Sequence, residues 1–191
     1  MGMPAVVERR WTAREVRELI DREPVVTPWY ELVDGELLVT PSPGDAHQRV
    51  VGELFLEIGL YLRHVSQAEV LCSPSDIELE PESIVQPDIY VFTRPDAQRR
   101  DAHGFPAKRL LLATEVLSPS SSRHDRVVKR SLYLRHVAEY WIADPDARVI
   151  ERWRAGDTRP EIVSDRLSWR PTESVEPLEI DIALLFERAW Q

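Results

Sequence analysis

Three residues of this chain have the types and settings to do chemistry together: Asp88, Glu115 and Lys129. Glu115 sits in LLLATEVL, where five of the six preceding residues are Leu, Ala or Thr, and Val116 and Leu117 follow. That run reads as a buried strand, and burying an unpartnered carboxylate costs on the order of several kcal/mol. An ion pair with an arginine such as Arg123, or a wet sheet edge, could relieve it, though leucines on both sides argue against the edge. Asp88 follows Pro87 in QPDIYVF. Proline cannot donate to a ladder and belongs at a strand start, so Asp88 either sits at the strand mouth or caps a turn after the proline. Two carboxylates on neighbouring strands suit a hard divalent cation such as Mg2+ or Mn2+. Zinc-type spacing is missing: the five histidines are scattered and Cys72 is the only cysteine.

Lys129 stands out by composition. Of 24 lysines and arginines, only Lys108 and Lys129 are lysines. An ammonium is a compact point charge that can act on a water or a phosphate, whereas a guanidinium is a planar fork that hardly deprotonates. Asp125, Lys129 and Tyr133 are spaced by four and share one helical face, beside the apolar Val128 and Leu132. The helix could aim Lys129 at the sheet mouth. Spacing alone favours the plainer reading, a surface pair with Asp125 worth a few tenths of a kcal/mol.

The elements that must position these residues follow from periodicity and turn signals. WTAREVRELID carries a capping-box pattern, Thr12 to Glu15, before an apolar helical stripe. WYELVDGELLVT reads as a hairpin around Asp34-Gly35. AHQRVVGELFLEIGLYLRH is a helix with Val50, Val51, Leu54, Phe55, Ile58 and Leu62 on one stripe. VLCS, SDIELE and QPDIYVF are strands, the last two turned at Pro81-Glu82-Ser83 and expected to pair as a hairpin. A charged loop, TRPDAQRRDAHGFPAK, leads to the strand of Glu115. Ser120 to Ser122 can cap the helix SRHDRVVKRSLYLRH; the strands EYWIAD and RVIERWR follow, and DIALLFERAW is a last helix begun by Asp181. The order predicts one α/β domain over residues 1–191 with a mixed sheet: an N-terminal helix at 12–22, a core over about 29–154, and strands and a helix over 155–191.

Composition narrows the class. With 43% apolar and 30% charged residues the chain reads as soluble and globular, and no apolar run approaches the roughly 20 residues of a membrane span. A lone cysteine excludes an internal disulfide and fits a reducing cytoplasm. The net charge of −9 opposes a nucleic-acid partner. The basic residues are clustered, however, at Arg94, Arg99, Arg100, Lys108 and Arg109 and again at Arg123, Arg126, Lys129, Arg130 and Arg135.

Four stretches in order, PSPGDAHQRVVGEL, QPDIYVF, TEVLSPSSSRHDRVVKRSLY and EYWIADPDARVIE, resemble the PD-(D/E)XK nuclease superfamily and, within it, the restriction-endonuclease-like Uma2 (Uma-two) family. The resemblance runs from about Tyr30 to Trp153. It implies a restriction-endonuclease-like fold, a central mixed β-sheet flanked by helices, with Mg2+ or Mn2+ held by Asp88, Glu115 and the Val116 backbone carbonyl. The superfamily pattern puts a lysine two residues after the glutamate, where this chain has Leu117; Lys129, one helix later, stands in for it. Asp88, Glu115 and Lys129 are then the catalytic residues, with His47, Asp76 and Tyr133 in support. Asp76 joins the site only if its strand slips one residue against that of Asp88. His47 lies on the stripe of Val51, Leu54 and Ile58, where a histidine is more often purely structural, satisfied by a backbone carbonyl.

The activity implied is metal-dependent hydrolysis of a phosphodiester by an endonuclease, with DNA first among nucleic acids. A homodimer is compatible with it. Two alternatives stay open: a catalytically inactive nuclease-fold binding or assembly module, favoured by Leu117 and the acidic charge, and a metal-dependent hydrolase of another substrate.

Overall fold

The computed structural model describes residues 9–22, 29–40, 42–80, 82–94, 105–106 and 110–190. Arg99, Arg100, Lys108, Arg109, Pro81 and most of the charged loop before Leu110 lie outside them.

Helix α1 (Ala13–Arg22) is opened by the capping box read in the sequence. Thr12 N–H donates to the Glu15 carboxylate at 2.9 Å, and Glu15 N–H to the Thr12 hydroxyl at 3.3 Å. The hairpin β1 (Trp29–Val33) and β2 (Glu36–Thr40) turns on Asp34 and Gly35, with φ of 50° and 82°. Two left-handed residues are what a two-residue hairpin turn demands. Strands β4 (Ile77–Glu80) and β5 (Ser83–Val85) join this hairpin, with β7 (Phe105–Pro106), in a five-stranded sheet ordered β2-β1-β5-β4-β7. Ala13 and Val16 of α1 pack on Leu32 and Ile84 of that sheet.

A six-stranded sheet holds β3 (Ala68–Cys72), β6 (Ile89–Thr93), β8 (Leu110–Val116), β9 (Val137–Asp144), β10 (Val149–Arg154) and β11 (Glu161–Val163), ordered β11-β10-β9-β8-β6-β3. Its β8–β9 pair is parallel and its other pairs antiparallel, so the sheet is mixed as expected. The period-2 alternation of β6 and β8 sends Ile89, Val91, Leu112 and Val116 to one face, where Val50, Leu54 and Ile58 of α2 (Asp45–Leu62) cover them. Tyr90, Phe92, Ala113 and Leu117 face the other way, onto Leu132 and Tyr133 of α3 (Arg130–His136). Strands β12 (Arg166–Trp169) and β13 (Leu178–Asp181) form a small ladder, and Asp181 caps α4 (Ile182–Ala189) by accepting from Leu184 N–H at 2.9 Å.

Two expectations are corrected. SDIELE does not pair with QPDIYVF: β4 pairs with β5, while β6 lies between β3 and β8 in the other sheet. Gln86, Pro87 and Asp88 carry the chain from one sheet to the other, and Pro87 has no N–H with which to continue a ladder. The helix after the serine loop is not uniformly α-helical. Its first part, His124–Lys129, is π-helical, with Arg130 N–H reaching back five residues to the Asp125 carbonyl, and no serine side chain caps it. Single π turns of this kind recur at functional sites.

Candidate active site

The crossing from β5 to β6 and the end of β8 meet at one end of the interior strands of the six-stranded sheet. Ile89 pairs with Thr114, so one further step of the antiparallel register sets Asp88 across from Glu115 on the same face. The Val116 N–H donates to Oδ2 of Asp88 at 2.7 Å, and Nε2 of His47, from the first turn of α2, lies 3.1 Å from the same oxygen. The Nδ1 of His47 is sealed from solvent without a hydrogen-bond partner among the described residues. A bare nitrogen there costs less than an unpaired N–H, which favours the tautomer whose Nε2–H donates to Asp88.

The π-helical turn faces these strand ends and buries both Asp125 and Lys129. The surface pair favoured by spacing is therefore corrected. Lys129 Nζ lies 2.7 Å from Glu31 Oε2, 3.2 Å from Glu115 Oε1 and 3.3 Å from Asp125 Oδ1. Tyr133 donates its hydroxyl to the same Oε1 of Glu115 at 2.8 Å, and Tyr140 donates to the Asp125 carbonyl at 3.1 Å. Tyr133 and Tyr140 pack ring to ring, 4.6 Å between centroids. Leu117, at the usual lysine position, points into the apolar cluster of Leu132 and Tyr133. The ammonium beside Glu115 comes from the helix, 3.2 Å away.

Glu31, Asp88, Glu115, Asp125 and Lys129 are all buried, none more than 5% exposed. Burial is the largest influence on Glu115 and pushes its pKa well above the usual carboxylate range, against the pull of Lys129. Glu31 is raised for the same reason. Burial alone would lower Lys129, but the charges of Glu115, Glu31 and Asp125 outweigh it and hold the ammonium well above its ordinary value. Burial, then the Glu115 charge, raises Tyr133. The cluster holds more carboxylates than ammonium, and its excess of acid calls for a proton or a cation.

Glu31, His47, Asp88, Glu115 and Lys129 line a cavity of about 160 Å³, bounded also by Trp29 and the loop Ser118–Ser121. Asp76 is outside this lining. It accepts from Gln86 Nε2 at 2.6 Å, and Gln86 does line the cavity, so Asp76 stands one residue behind the wall. Sequence reading missed Glu31 and the inward Asp125. Glu31 carried the same signal as Glu115, a carboxylate inside an apolar strand, in WYELV.

Among curated proteins no match is found. Among solved structures, the chain is similar to a putative nuclease belonging to DUF820 from Anabaena variabilis, at 19% identity and a TM-score of 0.72, covering 91% of this chain and 98% of that one. At that identity the likeness speaks for the fold, a mixed sheet flanked by helices as in that nuclease. Residues 16–184 match Uma2, described as a putative restriction endonuclease family, and with nearly the whole chain inside that match it belongs to this nuclease-type family.

Proposed function

We propose that the protein is a metal-dependent phosphodiester hydrolase acting on DNA, with Asp88, Glu115 and Lys129 as its catalytic residues. The observation that carries the reading is the meeting of two opposed carboxylates with a helix-borne ammonium, 3.2 Å from Glu115, in the wall of one cavity.

The residues fit Mg2+ or Mn2+. Oδ1 of Asp88 and Oε2 of Glu115 have no hydrogen-bond partner among the described residues, while their other oxygens are fixed by Val116, Lys129 and Tyr133. No group of three or more His, Cys, Asp or Glu side chains that could hold a metal ion is found among the described residues. Mg2+ is commonly held by one or two carboxylates and keeps several waters. Asp88, Glu115 and the Val116 carbonyl would hold it. Bound there, it would acidify water and offset charge on a phosphodiester.

This chain's own residues do the rest. His47 and the Val116 N–H fix Asp88, and Tyr133 fixes Glu115. Lys129 supplies positive charge on the cavity wall, where a scissile phosphate accumulates negative charge. The test is cleavage of supercoiled, linear and single-stranded DNA, and of RNA, with and without Mg2+ or Mn2+, run beside Glu115→Ala. Metal-dependent cleavage of DNA lost in the variant is the expected result. Binding without cleavage under every metal would move the reading to an inactive binding module.

A further inference from the structure

Glu31 comes from the five-stranded sheet, whereas Glu115 and Lys129 belong to the six-stranded sheet and its covering helix. Both Glu31 oxygens are committed. Oε1 accepts from Gln86 N–H at 2.8 Å, two residues before Asp88, and Oε2 lies 2.7 Å from the Lys129 ammonium. One buried carboxylate thus ties the chain entering Asp88 to the ammonium beside Glu115.

The three contacts of Lys129 are unequal. Glu31 is the shortest at 2.7 Å. Glu115 is 3.2 Å away and shares its oxygen with Tyr133. Asp125 is 3.3 Å away, and both its oxygens are sealed from solvent without a well-directed hydrogen bond among the described residues. An ammonium has three N–H groups. With three carboxylates around it, it can reach a phosphate only by giving one up, and the longer contacts give way before the short one.

We propose that Glu31 is a positioning residue: it anchors Lys129 to the wall beside Glu115 while the contacts to Glu115 and Asp125 exchange for substrate. This rests on the nuclease reading above. Its role is exerted through Lys129, so it predicts a specific coupling. Glu31→Gln keeps an oxygen for Gln86 N–H and turns an amide NH2, a donor, toward Lys129, so the charge and the accepting contact are lost together. It should lower kcat roughly tenfold with KM for DNA unchanged, because the charge it removes bears on turnover rather than on ground-state binding. The metal-induced rise in Tm should remain, since Asp88 and Glu115 are intact. Combined with Lys129→Met, Glu31→Gln should add less than about twofold, because the two residues act as one unit. Glu31→Asp, which keeps the charge on a shorter stem, should lie between wild type and Glu31→Gln.

A second readout needs no activity. Acylation of Lys129 in the folded protein by a small amine reagent, followed by mass spectrometry against Lys108, should quicken severalfold in Glu31→Gln. An unchanged kcat, an equal loss in the Lys129→Met background, or unchanged labelling would each overturn the proposal. A wild type that never cleaves would sink the nuclease reading alone, and the labelling comparison would still decide the role of Glu31.

Discussion

The backbone N–H of Val116 donates to Oδ2 of Asp88 at 2.7 Å, so the strand that carries Glu115 also orients the carboxylate opposite it. The two candidate ligands are pre-set, and a cation that binds only the folded state stabilises it by mass action. Mg2+ or Mn2+ at a hundredfold excess over Kd should add about 2.7 kcal/mol. Asp88→Asn and Glu115→Gln should each abolish that gain. Without metal, Glu115→Gln should be more stable than wild type by on the order of 1 kcal/mol, because it removes one of the excess buried charges. Lys129 keeps Glu31 and Asp125, and the amide oxygen can still accept from Tyr133. Thermal melts across a millimolar metal titration check this, and a flat Tm for wild type would remove the metal site.

What was legible in the sequence had a local cause. Asp34-Gly35 announces its turn, Asp181 its helix, and Glu115 its need of a buried partner, because each signal lies within a few residues. The pairing of β4 with β5 rather than β6 was hidden, since the two sheets part at Gln86–Asp88 and nothing local says which neighbour β6 takes. The π turn was equally hidden, since Tyr140, which donates to the Asp125 carbonyl within it, comes from β9. Glu31 and Lys129 stand 98 positions apart, and no spacing rule links a hairpin strand to a helix. Composition flagged the lysine, but only the packing of two sheets supplied its anchor.

The basic residues near the site divide into two kinds. Arg126 is spoken for: its guanidinium donates to Glu151 at 2.7 Å, Asp144 at 2.6 Å and Ser122 at 3.0 Å. Arg123, one turn earlier, is exposed. Arg123→Glu should weaken DNA binding and flatten its salt dependence by about one counterion while Tm holds. Arg126→Glu should lower Tm, since it sets a third carboxylate against two. Melting and salt-titrated binding separate them. Equal effects on stability would undo the distinction.

Helix α1 covers the sheet that carries Glu31, and its start is pH-sensitive. The Thr12 N–H, and after it the Arg9 guanidinium, hold the Glu15 carboxyl down at about 2. A group depressed in the folded state stabilises fully above its ordinary value of 4.5 and loses that contribution as pH falls toward 2. The Tm advantage of wild type over Glu15→Gln should therefore be constant near neutrality and shrink through that acid window. Glu15 is solvent-exposed, so added salt should shrink it too. An advantage that ignores pH would show that the capping box holds by shape alone.

Lys129 carries the sharpest expectation, because the usual lysine position holds Leu117 in an apolar cluster. Lys129→Met keeps the stem and removes the charge, so it should cut metal-dependent cleavage about a hundredfold, roughly 2.7 kcal/mol. It should also destabilise the metal-free protein by about 3–5 kcal/mol, since Glu31, Glu115 and Asp125 are left buried without their counter-charge. Metal-induced stabilisation should persist and even grow, as the cation becomes the remaining positive charge among them. Lys129→Arg should restore neither rate nor stability. The pocket around Nζ is closed by Glu31, Glu115 and Asp125 within 3.3 Å, and a planar fork does not fit a point contact. Rates measured well below each variant's Tm keep the two effects apart. If Lys129→Met, folded and metal-loaded, cleaves like wild type, the ammonium only balances buried charge, and catalysis must draw its positive charge from elsewhere.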